Sequence, residues 1–216
     1  MRPLLQLALD EISLDDAYKV LNTGVDEVVD IIECGTILLA SEGKKAIKEL
    51  REKYPHKKLV CDFKIADSGK VTSSLFLDYK PDYLTIICSA HNKTKKAVID
   101  EIKERNLNTE IQIELYGNWK FDEINTWKDL GINHVVLHHS VDEKDPWNEK
   151  ELSVARALCD EGINVTVTGG INYETIELFK GLPLFCIIAG RSIRKADDPK
   201  KEALRLLNRI KEIWPN

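Results

Sequence analysis

Eight short apolar runs recur along the chain: Leu4–Asp10, Val29–Gly35, Leu59–Lys64, Tyr83–Ser89, Glu110–Tyr116, His134–Ser140, Asn164–Gly170 and Leu184–Arg191. Most are continuous and rich in Val and Ile, the pattern of parallel strands covered on both faces. Between them the period changes. In residues 44–54, Ala46, Ile47, Leu50 and Tyr54 fall at i, i+3, i+4 spacing and form the apolar stripe of a helix. Val98, Ile99 and Ile102 mark another helix, and Ile124 and Trp127 a third. The clearest is the last, with Ala203, Leu206, Leu207, Ile210 and Ile213 or Trp214 on one face. Ser13-Leu14-Asp15-Asp16 has the form of a capping box with Asp in place of Glu. Gly131 and Gly162, each shortly before a strand, suit the first position past a helix end. The runs begin about 20 to 30 residues apart, the size of one strand–helix unit. Eight such units without a linker predict an α/β fold, a (β/α)8 TIM barrel occupying 1–216 as a single domain. An open doubly wound sheet would not require eight units, and no Gly-x-Gly-x-x-Gly follows the first run.

Composition narrows the function classes. Hydrophobic residues make up 43% and charged residues 31%, ordinary for a globular chain. The net charge of -5, with both signs interspersed, gives no reason to expect nucleic acid or an acidic membrane as partner. Runs such as Lys93-Thr94-Lys95-Lys96 read as solvated helix faces. The segment from Met1 is broken by Asp10 too soon for a signal peptide, and no apolar stretch approaches the roughly 20 residues that span a bilayer. A cytoplasmic protein is expected. The five cysteines include no CxxC pair and read as small buried thiols.

The chemistry collects where strands end, which in such barrels is where active sites form. The first run ends in Asp10, the second carries Glu33, and the third delivers Asp62 and Lys64 with Asp67 just beyond. Glu114, His138 and Thr168 occupy the ends of the fifth, sixth and seventh. Burying so many charges is costly unless they are paired or bind something. Asp62 and Lys64, two apart on a strand, share a face. A lysine flanked by carboxylates stays protonated, which suits an oxyanion-stabilising cation and argues against a Schiff base. Glu33 and Asp62, on adjacent strands, offer hard oxygen ligands of the kind Mg2+ takes. Gly169-Gly170 and Gly190-Arg191 let backbone N–H groups approach an anion, and Ser192-Ile193-Arg194 could begin the short helix that completes a phosphate site.

Leu7–Asp10, Asp30–Thr36, Asp62-Phe63-Lys64-Ile65-Ala66-Asp67, Gln112–Leu115, Thr166–Gly170 and Ile188–Ile193 resemble, in order and over nearly the whole chain, the 3-keto-L-gulonate 6-phosphate decarboxylase family. That family belongs to the orotidine monophosphate decarboxylase suprafamily, whose signature is the Asp-x-Lys-x-x-Asp run. The resemblance implies a carbon–carbon lyase that forms L-xylulose 5-phosphate and CO2 through a cis-enediolate, in ascorbate or related pentose catabolism. It implies that Glu33 and Asp62 bind Mg2+, and that Lys64 helps stabilise the enediolate. Asp67 would cross the interface of a homodimer into the partner's site, and Asp10 and Glu114 would contact the metal-bound water or the substrate hydroxyls. His138 would help deliver a proton through water, Thr168 would border the substrate, and Gly170, Gly190 and Arg191 would hold its phosphate. One position departs: the decarboxylases usually carry His-x-Ser-Arg-Asp, and here His138-His139-Ser140 is followed by Val141-Asp142. That arginine is a second proton-delivery group, and His139 is the candidate replacement. Hexulose-6-phosphate synthases, which condense formaldehyde with ribulose 5-phosphate through the same kind of enediolate, lack it too and are the alternative. Glu114 and Thr168 match the decarboxylase pattern, where the synthases tend to carry Asp and Ala. An epimerase-like barrel would want histidines on several strand ends, and only the sixth run offers them.

Overall fold

The computed structural model describes residues 1–140, 142 and 145–215. Eight parallel strands close into a barrel in sequence order: β1 (Leu4–Leu9), β2 (Ile31–Cys34), β3 (Lys58–Ile65), β4 (Tyr83–Ile87), β5 (Glu110–Leu115), β6 (His134–His138), β7 (Asn164–Thr168) and β8 (Cys186–Ala189). Each lies within or close to one of the eight apolar runs. The outer layer holds α1 (Leu14–Leu21), α2 (Thr36–Glu42), α3 (Lys44–Lys53), α4 (Gly69–Leu77), α5 (Asn92–Glu104), α6 (Glu123–Asp129), α7 (Glu149–Asp160), α8 (Arg191–Arg194) and α9 (Pro199–Ile213). The helix boundaries follow the punctuation. The Ser13 hydroxyl accepts the Asp16 N–H at 3.2 Å and donates to the Asp16 carboxylate at 2.9 Å, so the reciprocal contact runs between the side chains. Gly131 and Gly162 take left-handed φ of 80° and 73°. Behind each, Ile132 and Ile163 donate back to Trp127 and Leu158, closing the helix ends.

The seventh link departs from the expected pattern. Between β7 and β8 the chain makes only a 3-10 turn, Thr175–Phe179. The link is punctuated by Gly181 at φ 82° and by Pro183, and buried Ile176 and Phe179 cover the sheet from the 3-10 turn. Lys95 also departs from the expected solvated face. It is 1% exposed, and its ammonium reaches back to the carbonyls of Cys88, at 2.8 Å, and Ala90. Periodicity says nothing of a lysine that folds under its own helix to tie down the preceding loop. Cys34, Cys61, Cys88 and Cys186 are buried free thiols, and Cys159 is half-buried. Among the described residues no helix is long and apolar enough to cross a membrane.

Most of the core lies between sheet and helices. Inside the barrel, Ile31, Val60, Tyr83 and Cys186 form one cluster, and Ala8, Val136 and Ile188 another, nearer the mouth. Polar Gln6, Gln112, His134 and Thr166 are buried in this interior. His134 Nε2 sits 3.1 Å from the Gln112 amide nitrogen and 2.8 Å from the Thr166 hydroxyl, with Tyr83 and Phe185 edge-on to its ring. Burial first, and the charge of Lys58 second, lower its pKa from 6.5 to about 3. A neutral ring is therefore built into the fold. Its contribution to stability is complete above pH ~6.5, where the unfolded chain is also neutral, and is lost as pH falls toward about 3. Urea unfolding across pH 6.5 to 4 should show wild-type stability falling about 1.4 kcal/mol per pH unit more steeply than that of His134→Gln. Parallel slopes would refute this.

Candidate active site

A cavity of about 610 Å3 opens at the C-terminal ends of the strands. Asp10, Glu33, Asp62, Lys64, Glu114, His138, Thr168, Gly170, Gly190 and Arg191 all line it. Asp67 does not: it lies exposed in the loop after β3.

The centre is Lys64. Its φ of 53° is left-handed, uncommon for a residue with a Cβ, and the β3–β4 register shifts between Cys61 and Ile65. Thr85 holds the distortion: its hydroxyl accepts the Lys64 N–H at 2.8 Å and donates to Asp62 Oδ1 at 2.9 Å. Strain held in place by a neighbouring hydroxyl is typical of functional positions. The ammonium bonds Asp62 Oδ2 and lies 2.7 Å from the Thr36 hydroxyl, which itself reaches Asp62 Oδ2 at 2.7 Å. Burial pulls the Lys64 pKa down, but the charges of Glu114 and Asp62 outweigh it, so the group is held firmly protonated. Burial likewise opposes ionisation of Asp62. Lys64, Thr36 and Thr85 overcome that and keep the carboxyl below its usual range.

The other two carboxyls lack such support. Burial, then the charges of Asp62 and Asp10, push Glu33 well up, against which the Gln6 amide donates a hydrogen bond. Burial and Asp62 raise Asp10 as well. The Asp10 carboxylate folds over the start of α2, where it accepts the Ile37 N–H. Only glycine permits this at position 35, since a Cβ there would stand 2.2 Å from Asp10 Oδ1 and 2.8 Å from the Leu9 carbonyl. With Glu114, four carboxyls thus surround one lysine, and all of them offer hard oxygens. Among the described residues no group of three or more His, Cys, Asp or Glu is arranged to hold a metal. Two carboxylates with water completing the shell is how Mg2+ is commonly bound, and Glu33 and Asp62 fit that role.

On the opposite wall the His138 Nδ1 lies 2.8 Å from the Tyr116 hydroxyl and 3.2 Å from Glu114 Oε2. His139 does not join it. Its Nδ1 meets Glu151 and its Nε2 the Asp145 carbonyl, each at 2.8 Å, and its ring stacks on Trp147. Successive residues leaving a strand face opposite ways, so His139, the neighbour of a cavity-lining residue, is turned out of the cavity. Val141 lies outside the described residues. Past β7, Gly169 and Gly170 have φ of 100° and 64°, and past β8 Arg191 begins α8. Ser192 Oγ and Arg194 Nε are buried there without a hydrogen-bond partner, while Arg194 Nη1 pairs with Glu11 at 2.7 Å.

No role for Tyr116, Thr36 or Thr85 follows from the sequence. Tyr116 carries a signal, standing two residues past Glu114 and so on the same face.

The chain is 42% identical over 215 residues, 98% of each protein, to 3-keto-L-gulonate-6-phosphate decarboxylase UlaD of Salmonella typhi. Its fold matches KGPDC from Streptococcus mutans at a TM-score of 0.94, with 38% identity, covering 98% of this chain and 99% of that one. The 3-hexulose-6-phosphate synthase of Salmonella typhimurium matches at 0.80 with 28% identity over 97% and 99% of the two chains. Residues 3–206 match the profile of the orotidine 5'-phosphate decarboxylase / HUMPS family, and the chain belongs to that family.

Proposed function

We propose that the chain catalyses Mg2+-dependent decarboxylation of 3-keto-L-gulonate 6-phosphate to L-xylulose 5-phosphate and CO2. The observation that carries this reading is the charged Lys64 ammonium fixed against Asp62 at the cavity wall, in a chain this similar to proteins named for that reaction. Arg191 and the backbone at Gly170 and Gly190 hold the phosphate and orient the sugar. Asp10 and Glu114 hold hydroxyls, and Thr168 borders the reacting end. When the C1–C2 bond breaks, its electron pair delocalises toward the ketone oxygen as a cis-enediolate, and Lys64 stabilises the negative charge that develops there. His138 delivers the proton that completes the product. Glu33 and Asp62 would hold the Mg2+, which when bound supplies a further electrophile for that charge.

The same reading makes the protein a cytoplasmic homodimer. Asp67 is exposed in the single chain, and Ile12, Val71 and Ile37 are 76%, 68% and 50% exposed on nearby loops and helices, as an association face would leave them.

The test is direct. CO2 and L-xylulose 5-phosphate should appear from 3-keto-L-gulonate 6-phosphate. No CO2, with ready condensation of formaldehyde and ribulose 5-phosphate, would give the site to the synthase reaction. Exhaustive chelation should bring CO2 release to background and Mg2+ should restore it; full turnover after chelation would remove the metal from the scheme.

A further inference from the structure

Tyr116 has no part in the chemistry above, yet it makes the shortest contact to His138. Its hydroxyl oxygen lies 2.8 Å from Nδ1 and 3.3 Å from Nε2, and the two rings sit 4.6 Å apart at 36°. An imidazole at a cavity wall can rotate unless its edge and face are held, and Tyr116 holds both. Tyr116 is itself anchored. Its carbonyl accepts from the Cys88 thiol at 3.3 Å, and its N–H meets the same sulfur at 3.4 Å. The Cys88 carbonyl in turn is fixed by the buried Lys95 ammonium at 2.8 Å. Burial, then the charge of Glu114, raises the Tyr116 phenol, so the hydroxyl keeps its proton.

We propose that Tyr116 is a positioning residue for His138, fixing the imidazole's rotation so that one face of the enediolate receives the proton. This rests on the decarboxylation reading. In that step the C1–C2 bond has broken, CO2 has left, and the electron pair remains on C2 and C3 as the enediolate. A proton passes from a His138 ring nitrogen through water to C2, the new C–H bond takes up the pair, the C3 ketone re-forms, and the ring regains a proton from solvent.

Tyr116→Phe keeps the ring and removes the hydroxyl. CO2 release is to be measured for the wild type, Tyr116→Phe, His138→Asn and the double variant. Losing one hydrogen bond to the acid should lower kcat about five- to tenfold, with KM changed less than about twofold. In the His138→Asn background the same change should cost less than about twofold, since a positioning residue has nothing left to position. In D2O, Tyr116→Phe should move deuterium at product C1 from its wild-type distribution toward equal occupancy of the two positions. An equal loss in both backgrounds, or no loss in either, overturns the proposal while leaving decarboxylation standing. A wild type that releases no CO2 overturns both.

Discussion

Replacing Lys64 by alanine is expected to lower kcat for CO2 release about a thousandfold, with KM little changed. The magnitude follows from what the ammonium does. Removing one oriented donor at a developing oxyanion typically costs about a hundred- to a thousandfold, and a charged donor in a half-buried site belongs at the upper end. Lys64 is such a donor, held protonated by Glu114 and Asp62. On the proposed reading the phosphate is held elsewhere in the cavity, at Arg191 and the glycine loops, so binding should survive the change. Arginine should not rescue. The lysine is a compact point charge seated against Asp62 and the Thr36 hydroxyl, and a planar fork cannot occupy that position without displacing one of them. A Lys64→Ala protein keeping more than about a tenth of wild-type kcat would remove the lysine from the mechanism.

Why Lys64 is legible in the sequence and Tyr116 is not has a physical reason. The strands can be read because a strand covered on both faces must be apolar throughout, and eight of them leave eight marks. The same rule exposes the site: a charge closing an apolar run has to be justified by what it faces, and Asp10, Glu33, Asp62, Lys64 and Glu114 all line the cavity. Tyr116, Thr36 and Thr85 are ordinary on a strand or at a helix start, and beyond the spacing of Tyr116 from Glu114 nothing in their type reveals that each supports a charged neighbour. Those contacts join residues from different units, such as Thr85 on β4 to Asp62 on β3, and depend on the register around the barrel. Lys95 escapes for the opposite reason, since its charge suggests water and only the loop geometry shows the carbonyls it satisfies. The 3-10 turn before β8 shows that the alternation of units constrains the strands more tightly than the links.

Gly169→Ala is the substitution expected to damage the fold most. At φ 100° a side chain is strained whatever the space, and here there is none: a Cβ would stand 1.9 Å from the His139 carbonyl oxygen and 2.8 Å from its carbon. Backbone cannot swing aside as a flexible side chain would. It is also held from both directions, because His139 N–H donates to the Thr168 carbonyl at 2.9 Å and Trp147 Nε1 to the Gly169 carbonyl at 2.8 Å. A destabilisation of about 3 kcal/mol is expected, from left-handed strain plus displacement of the β6–β7 ends, or a fall in Tm of about 6–12 °C for a domain of this size. Gly170 supplies the internal comparison. Its φ of 64° is also left-handed, but nothing lies within 4 Å of its added Cβ, so Gly170→Ala should cost only about 1–2 kcal/mol. Calorimetry on the pair separates the two causes. If both variants melt together, conformational freedom alone accounts for the glycines; if Gly169→Ala melts well below Gly170→Ala, glycine at 169 is needed for the close approach of one strand end to the next, which sets Thr168 and Gly170 against the His138 wall.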